Sequence, residues 1–436
     1  MKNTILLLTL ALIINSCGGG SGGTTPTPND TIPQENNETT PSETTDNNQT
    51  SLDNTQENQS NNSAQESNET TPGDTNDSNE APPPIINDNQ TSTDNSTQND
   101  TPLLPSDEPY CKYSWHIDSI VANQYDEYSA VDKEADIGVT KAWETTHGEG
   151  VKVAVIDNGF DVNHEDLKEN IAVVYSVDND NNEVGNTSQN KTLALHGNSC
   201  AGFIVAPING KGSIGIAPSA KLIGIKLLSQ EDSDTIKAFE YAQIQGAKVI
   251  SCSWGTNDVS EAIVAKLKEL YEAGITVLFA SGNEGESLDV AGVNDESEVE
   301  WVIGVGASGE NNDVTTYSNY GKNIEIIAPG GDTEKLGLLG IDDSGEQGST
   351  NQQGLVDNNY AFMDGTSFAA PIAAGVVALM YGANPDITPS QVRSILIATA
   401  TKIGGEDAHY VDGLDEKRAY GKINAYMAVT QAQSLK

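Results

Sequence analysis

From residue 151 onward the chain alternates short apolar, β-branched runs with longer stretches of helical character, and few architectures accommodate that rhythm. The runs fall at 151–156, 222–227, 249–253, 275–280, 302–305 and 324–327. They lack the polar alternation of half-exposed strands, so they are expected to be buried on both faces. Helices are expected at about 197–206, 234–245, 259–273 and 368–382, with Gly274 as the C-terminal stop of the third. Buried strands interleaved with helices give an α/β fold of three layers, a mostly parallel central sheet covered by helices on both faces and joined by right-handed crossovers. Sites in such sheets form at the carboxyl ends of the strands.

The first quarter of the chain cannot join this core. Between Gly18 and Pro105 there is no aromatic residue, no lysine and no arginine, while Asn, Thr, Ser, Asp, Glu, Gln and Pro dominate. Too little apolar surface exists there to offset chain entropy, so 17–105 is expected to be a long disordered acidic tether, extended where Pro82, Pro83 and Pro84 cluster. Four of its segments place an acid two before an asparagine and a hydroxyl residue two after it. Asn37, Asn48, Asn68 and Asn76 are therefore candidate glycosylation acceptors, with biased composition as the plainer explanation.

Residues 106–436 remain for one large domain. The chain carries a net charge of −42, of which −28 lies in 106–436, with 21 basic residues against 49 acidic ones. Such a field repels nucleic acid and suits cationic substrates and calcium. The N-terminus has one lysine, an apolar run over 5–14, and Asn15-Ser16-Cys17 before a glycine string. The run is too short to span a bilayer, so 1–16 is expected to be a signal peptide. Ile14-Asn15-Ser16-Cys17 resembles a bacterial lipobox, which implies a lipidated Cys17 and a place in the bacterial cell envelope, at an outer membrane or cell surface. Cys111, Cys200 and Cys252 are an odd set, so no disulfide scaffold is expected.

Four segments in the domain carry chemistry. Val153-Ala154-Val155-Ile156-Asp157 ends an apolar strand on a carboxylate, and His196 opens a Gly/Ala-rich helix. Gly365-Thr366-Ser367 precedes an alanine-rich helix, so the Ser367 N–H stands at a helix N-terminus where it can stabilise an oxyanion. Ser281-Gly282-Asn283-Glu284-Gly285 follows a strand and offers a side-chain amide as a second donor. A nucleophile, a base and an orienting carboxylate are all present, in the order Asp, His, Ser.

These segments resemble the subtilisin-like serine proteases, or subtilases, over about 110–436. The resemblance implies a subtilisin-like fold and a serine endopeptidase. Ser367 would attack the scissile carbonyl, His196 would move its proton, Asp157 would orient the imidazole, and Asn283 would hold the oxyanion. It also implies that Ser253-Trp254-Gly255 and Ala280-Ser281-Gly282 wall the primary specificity pocket, with substrate added as a strand along the first. Asn198 departs from the Thr or Ser usual two residues after the histidine. Ser253-Trp254-Gly255 followed by Asp258, Trp115-His116-Ile117 and Cys200 resemble the kexin-like branch, which cuts after basic residues. Cleavage after Lys or Arg and a broad apolar preference both stay open, and Asp258 also reads as a solvated helix cap.

Asp166 and Asn209 match family positions for a structural Ca2+ completed by backbone carbonyls. A second ion is expected at Asp178 and Asp180 in the run 178–183, which otherwise reads as a polar loop. Because no folded inhibitory segment precedes the domain, folding is expected to be helped in trans or to proceed unaided. The expected protein is a monomer with polypeptide substrates, no nucleic-acid partner and a membrane tie through Cys17. The rival reading is a catalytically silent member of the fold used as a tethered binding module.

Overall fold

The computed structural model describes residues 107–436 except 125–129, 186–195, 257, 333–334 and 346–356. The expected signal peptide, Cys17, the tether and its four candidate asparagines lie outside the described residues. The strands are β1 Lys152–Asp157, β2 Ile171–Ser176, β3 Lys221–Lys226, β4 Val249–Cys252, β5 Thr276–Ala280, β6 Ile303–Ser308, β7 Ile324–Pro329, β8 Leu338–Ile341 and β9 Tyr360–Met363. The helices are α1 Ser119–Ala122, α2 Val139–Ala142, α3 His196–Val205, α4 Asp232–Ile244, α5 Glu261–Glu272, α6 Thr366–Ala383, α7 Pro389–Thr399 and α8 Ala425–Ser434.

Seven strands form one parallel sheet in the order β2-β3-β1-β4-β5-β6-β7, and β8 with β9 makes a separate antiparallel pair. Because successive side chains of a strand point to opposite faces, each central strand feeds two cores. Val153 and Val155 of β1 join the larger cluster with residues of α3, α6 and α8. Ala154 and Ile156 of the same strand join Phe239 of α4 and Leu267 of α5 on the other face. β5 divides likewise, with Leu278 and Ala280 on the first face and Val277 and Phe279 on the second. That two-sided burial is why these strands read as continuous apolar runs.

Local signals set the helix ends. Ser260 caps α5 by accepting the Ile263 N–H at 3.2 Å, and the chain leaves that helix through Gly274 at φ +80°. Thr388 and Gln391 form a reciprocal capping box ahead of α7, with Pro389 at its first turn. Helix α6 is long and apolar enough to cross a bilayer, but nearly all of it is buried inside the fold, where it runs as the central core helix.

Pro371 inside α6 has no N–H to give the Ser367 carbonyl four residues earlier. That carbonyl takes the Ser253 hydroxyl at 2.7 Å instead, and the Cys200 thiol at 3.5 Å. That contact ties the first turn of α6 to the segment that follows β4.

Candidate active site

Asp157 closes β1 and is 5 % exposed, with its Oδ1 accepting the Asn158 N–H at 2.7 Å. His196 is the first residue of α3, and its Nδ1 lies 2.9 and 3.0 Å from the two Asp157 oxygens. One turn along α3, the Cys200 sulfur lies under the same ring, 3.6 Å from Nδ1 and 3.9 Å from Nε2. Phe368 packs on the imidazole with ring centroids 5.4 Å apart. Burial disfavours the imidazolium, but the Asp157 charge and then Cys200 outweigh it, and the His196 pKa is raised well above its ordinary value. Burial pushes the Cys200 thiol up, so it stays protonated.

Ser367 stands in the first turn of α6. Its hydroxyl donates to the Ser253 carbonyl at 3.3 Å rather than to His196, so the serine–imidazole hydrogen bond is unmade in this resting geometry. Such bonds often tighten only when substrate is bound. The turn ahead of it depends on Gly365, whose φ of +140° is closed to side-chain-bearing residues. Asn283 Oδ1 accepts from both the N–H and the hydroxyl of Thr366, each at 2.9 Å. That pairing commits the carbonyl end of the amide and leaves Nδ2 and the Ser367 N–H as donors without acceptors among the described residues.

Strands β4 and β5 are neighbours, and their extensions past the carboxyl ends flank the serine. Trp254 is pinned by its Nε1 donating to the Ile156 carbonyl at 2.9 Å and by an edge contact with Phe279. Ser281 donates to the Asn319 carbonyl at 3.0 Å, and Gly282 N to the Thr366 hydroxyl at 3.2 Å. Asp258 is exposed, and only its backbone joins the neighbouring chain, in a bridge to Asn294.

Asp166 is fully buried, and its Oδ2 accepts from Ser213 N at 2.8 Å and from the Tyr360 hydroxyl at 3.0 Å. Burial pushes its pKa up to about 7. Beside it, Glu108 Oε1 accepts the N–H groups of Asn209 and Gly210. Glu108 Oε2, Asp166 Oδ1 and Asn209 Oδ1 are each buried without a hydrogen-bond partner. Three orphaned oxygens from a carboxylate pair and an amide are a donor set that suits a hard cation, so the residues fit the expected Ca2+. Glu108 was not legible in the sequence, because it reaches the 208–213 loop only through the folding of the N-terminal segment.

Asp178 and Asp180 do not converge on a common ion. Asp178 accepts the N–H groups of Leu228 and Ser229 at 3.0 and 3.1 Å, while Asp180 accepts the Tyr175 hydroxyl at 2.6 Å and faces the Lys237 ammonium at 3.4 Å. Protein donors already take oxygens of both residues. Asp157, His196 and Cys200 also cluster closely enough to hold a metal. Their mutual contacts already use the imidazole and carboxylate.

A carboxylate paired with an imidazole, and a serine with amide donors beside it, thus lie at the carboxyl end of the parallel sheet, where a serine hydrolase site is expected. Residues 148–421 match the model of the subtilase family, and the chain belongs to that family. It is 33% identical over 330 residues to a calcium-dependent protease of Nostoc sp., covering 69% of this chain and 49% of the relative. It is 30% identical to thermitase of Thermoactinomyces vulgaris, covering 67% of this chain and 93% of that one. Among solved structures, a protease from Pseudoalteromonas arctica superposes with a TM-score of 0.60 at 27% identity, over 75% of this chain and 99% of the other. The chain spans about half the length of the calcium-dependent protease it matches.

Proposed function

We propose that this protein is a serine endopeptidase, and the observation that carries the reading is the double contact of His196 with Asp157 beside a serine at the N-terminus of a buried helix. Ser367 attacks the scissile carbonyl as His196 Nε2 takes its proton, and the same proton passes to the leaving amine. Asp157 fixes Nδ1 as the protonated nitrogen and stabilises the imidazolium. Asn283 Nδ2 and the Ser367 N–H receive the charge that develops on the carbonyl oxygen. The test is cleavage of a mixed peptide library by the full chain and by Ser367→Ala, with product termini read by mass spectrometry. Cleavage confined to the wild type supports the reading, and a folded wild type that cuts nothing sinks it.

Calcium would sit among Glu108, Asp166 and Asn209, stabilising the loop that these residues join. The calcium-dependent proteases of Nostoc sp. and Trichormus variabilis, each matched at over 30% identity, support this reading. Calorimetric titration of the chelated protein checks it. One site that vanishes in Asp166→Ala is expected, and heat that persists in that variant counts against it. The N-terminal Cys17 would carry a lipid that holds the enzyme at the bacterial cell surface, where it would process envelope or extracellular proteins. Metabolic labelling with a fatty acid, lost in Cys17→Ala, is the expected result.

A further inference from the structure

The two proposed oxyanion donors stand on separate segments, the Asn283 amide on the loop after β5 and the Ser367 N–H at the head of α6. They can share one developing charge only if these segments keep their spacing. Direct links run from Thr366 to Asn283 Oδ1 and to Gly282 N. A further link runs through the stretch 317–319, which lies between β6 and β7. The Tyr317 carbonyl accepts the Gly285 N–H at 2.7 Å, and Asn319 N donates to the Gly282 carbonyl at 3.0 Å. Asn319 Oδ1 accepts the N–H groups of Glu284 and Glu286 at 3.1 and 3.0 Å. The loop that carries Asn283 is therefore moulded on this stretch. Gly285, at φ +69°, permits the close approach, because a Cβ there would lie 2.5 Å from the Thr316 carbonyl oxygen.

The side chain of Tyr317 reaches the other segment. Its hydroxyl accepts the Gly365 N–H at 3.1 Å and donates to the Gly331 carbonyl at 2.7 Å. Gly365 N also lies 2.9 Å from the Gly330 carbonyl, so its hydrogen is shared between two acceptors. Gly330 leaves room for the hydroxyl, since a Cβ there would lie 2.9 Å from it. The ring itself packs at the edge of the larger core, which gives the hydroxyl a fixed origin. Gly365 is the residue at φ +140° that turns the chain into α6, so a bond on its N–H bears directly on where the Ser367 N–H points. Tyr317 thus holds one donor's loop by its carbonyl and the other donor's turn by its hydroxyl.

The geometry points to Tyr317 as a positioning residue that sets the spacing between Asn283 Nδ2 and the Ser367 N–H. The proposal rests on the endopeptidase reading and adds to it a residue that acts on the reacting atoms only through others. Without the hydroxyl, Gly365 N keeps the Gly330 carbonyl, so the turn still forms but is freer to shift. Catalysis is sensitive to such small displacements.

The test is Tyr317→Phe, which removes the hydroxyl and keeps both the ring and the carbonyl that holds Gly285. On a peptide that the wild type cleaves, kcat is expected to fall about tenfold while KM stays within about twofold. Affinity for a peptide aldehyde, whose adduct with Ser367 places an oxyanion between the two donors, should fall by the same factor as kcat/KM. Binding of the uncleaved peptide to Ser367→Ala should be the same with and without the Tyr317→Phe change. In an Asn283→Ala background the change should cost less than about threefold, since one donor alone has no spacing to keep. An unchanged kcat in Tyr317→Phe overturns the proposal. So does a loss that is as large in the Asn283→Ala background, or one matched by weaker binding of the uncleaved peptide, because general loosening of the fold would produce both. A folded wild type that cuts nothing sinks this proposal and the endopeptidase reading together, whereas a wild type and a Tyr317→Phe variant that cut equally well sink only this one.

Discussion

In the proposed mechanism, protonation of one imidazole sets the pH range in which the site would work. His196 must be neutral to accept the serine proton, and although its burial opposes the cation, the Asp157 carboxylate at 2.9 Å raises its pKa above the ordinary 6.5. Activity is therefore expected to be absent at low pH and to rise through a pKa above 6.5, as a pH profile of kcat/KM would show. Asp157→Asn should move that limb downward and cost about 10⁴-fold in kcat. Cys200 offers a second check at this scale. A mercurial on its sulfur, 3.6 Å from Nδ1, would displace the ring, so wild-type activity should be lost while Cys200→Ala resists the reagent. The three residues proposed as the triad stand out in the sequence because each ends or begins an element with a recognisable pattern. Glu108 does not, since nothing local marks a carboxylate that meets a loop 101 positions further along the chain.

Strand and helix signals were strongest where both faces of an element are buried. All six apolar runs became strands of the parallel sheet, and the four expected helices formed with ends shifted by one or two residues. β2 escaped notice because its first four residues are partly or fully exposed, which breaks the apolar run. The β8–β9 pair is short and contains a glycine, and its stability comes from packing onto α3 rather than from a local pattern. α7 carries a legible start in Thr388-Pro389 with Gln391. The link between α6 and β4 also belongs to this scale. Ser253→Ala would leave the Ser367 carbonyl, already deprived of a helical partner by Pro371, without its 2.7 Å hydroxyl donor. A loss of about 1–3 kcal/mol in denaturant unfolding is expected, together with a fall in kcat.

Across the whole molecule, acid should act through more than the active site. His116 is 1 % exposed between Trp115 and Phe203, with no hydrogen-bond partner on either ring nitrogen, and burial lowers its pKa to about 3. A histidine that binds its proton more weakly when folded gives full stability above pH 6.5. That stability is lost as pH falls from there towards 3, by on the order of 5 kcal/mol in total. His116→Leu is expected to flatten this acid limb, measured by urea unfolding at pH 8, 6 and 5. A limb of unchanged slope would assign acid sensitivity to other groups. One consequence follows from α6, whose buried length carries the nucleophile at its first turn. In many enzymes the site lies in the least stable region and fades before the body melts. Here the serine is mounted on a buried core helix, so no partly unfolded form is expected to survive as an inactive reservoir. Heating curves for activity and for far-ultraviolet dichroism should overlay, and the working lifetime of each molecule should end in a single event.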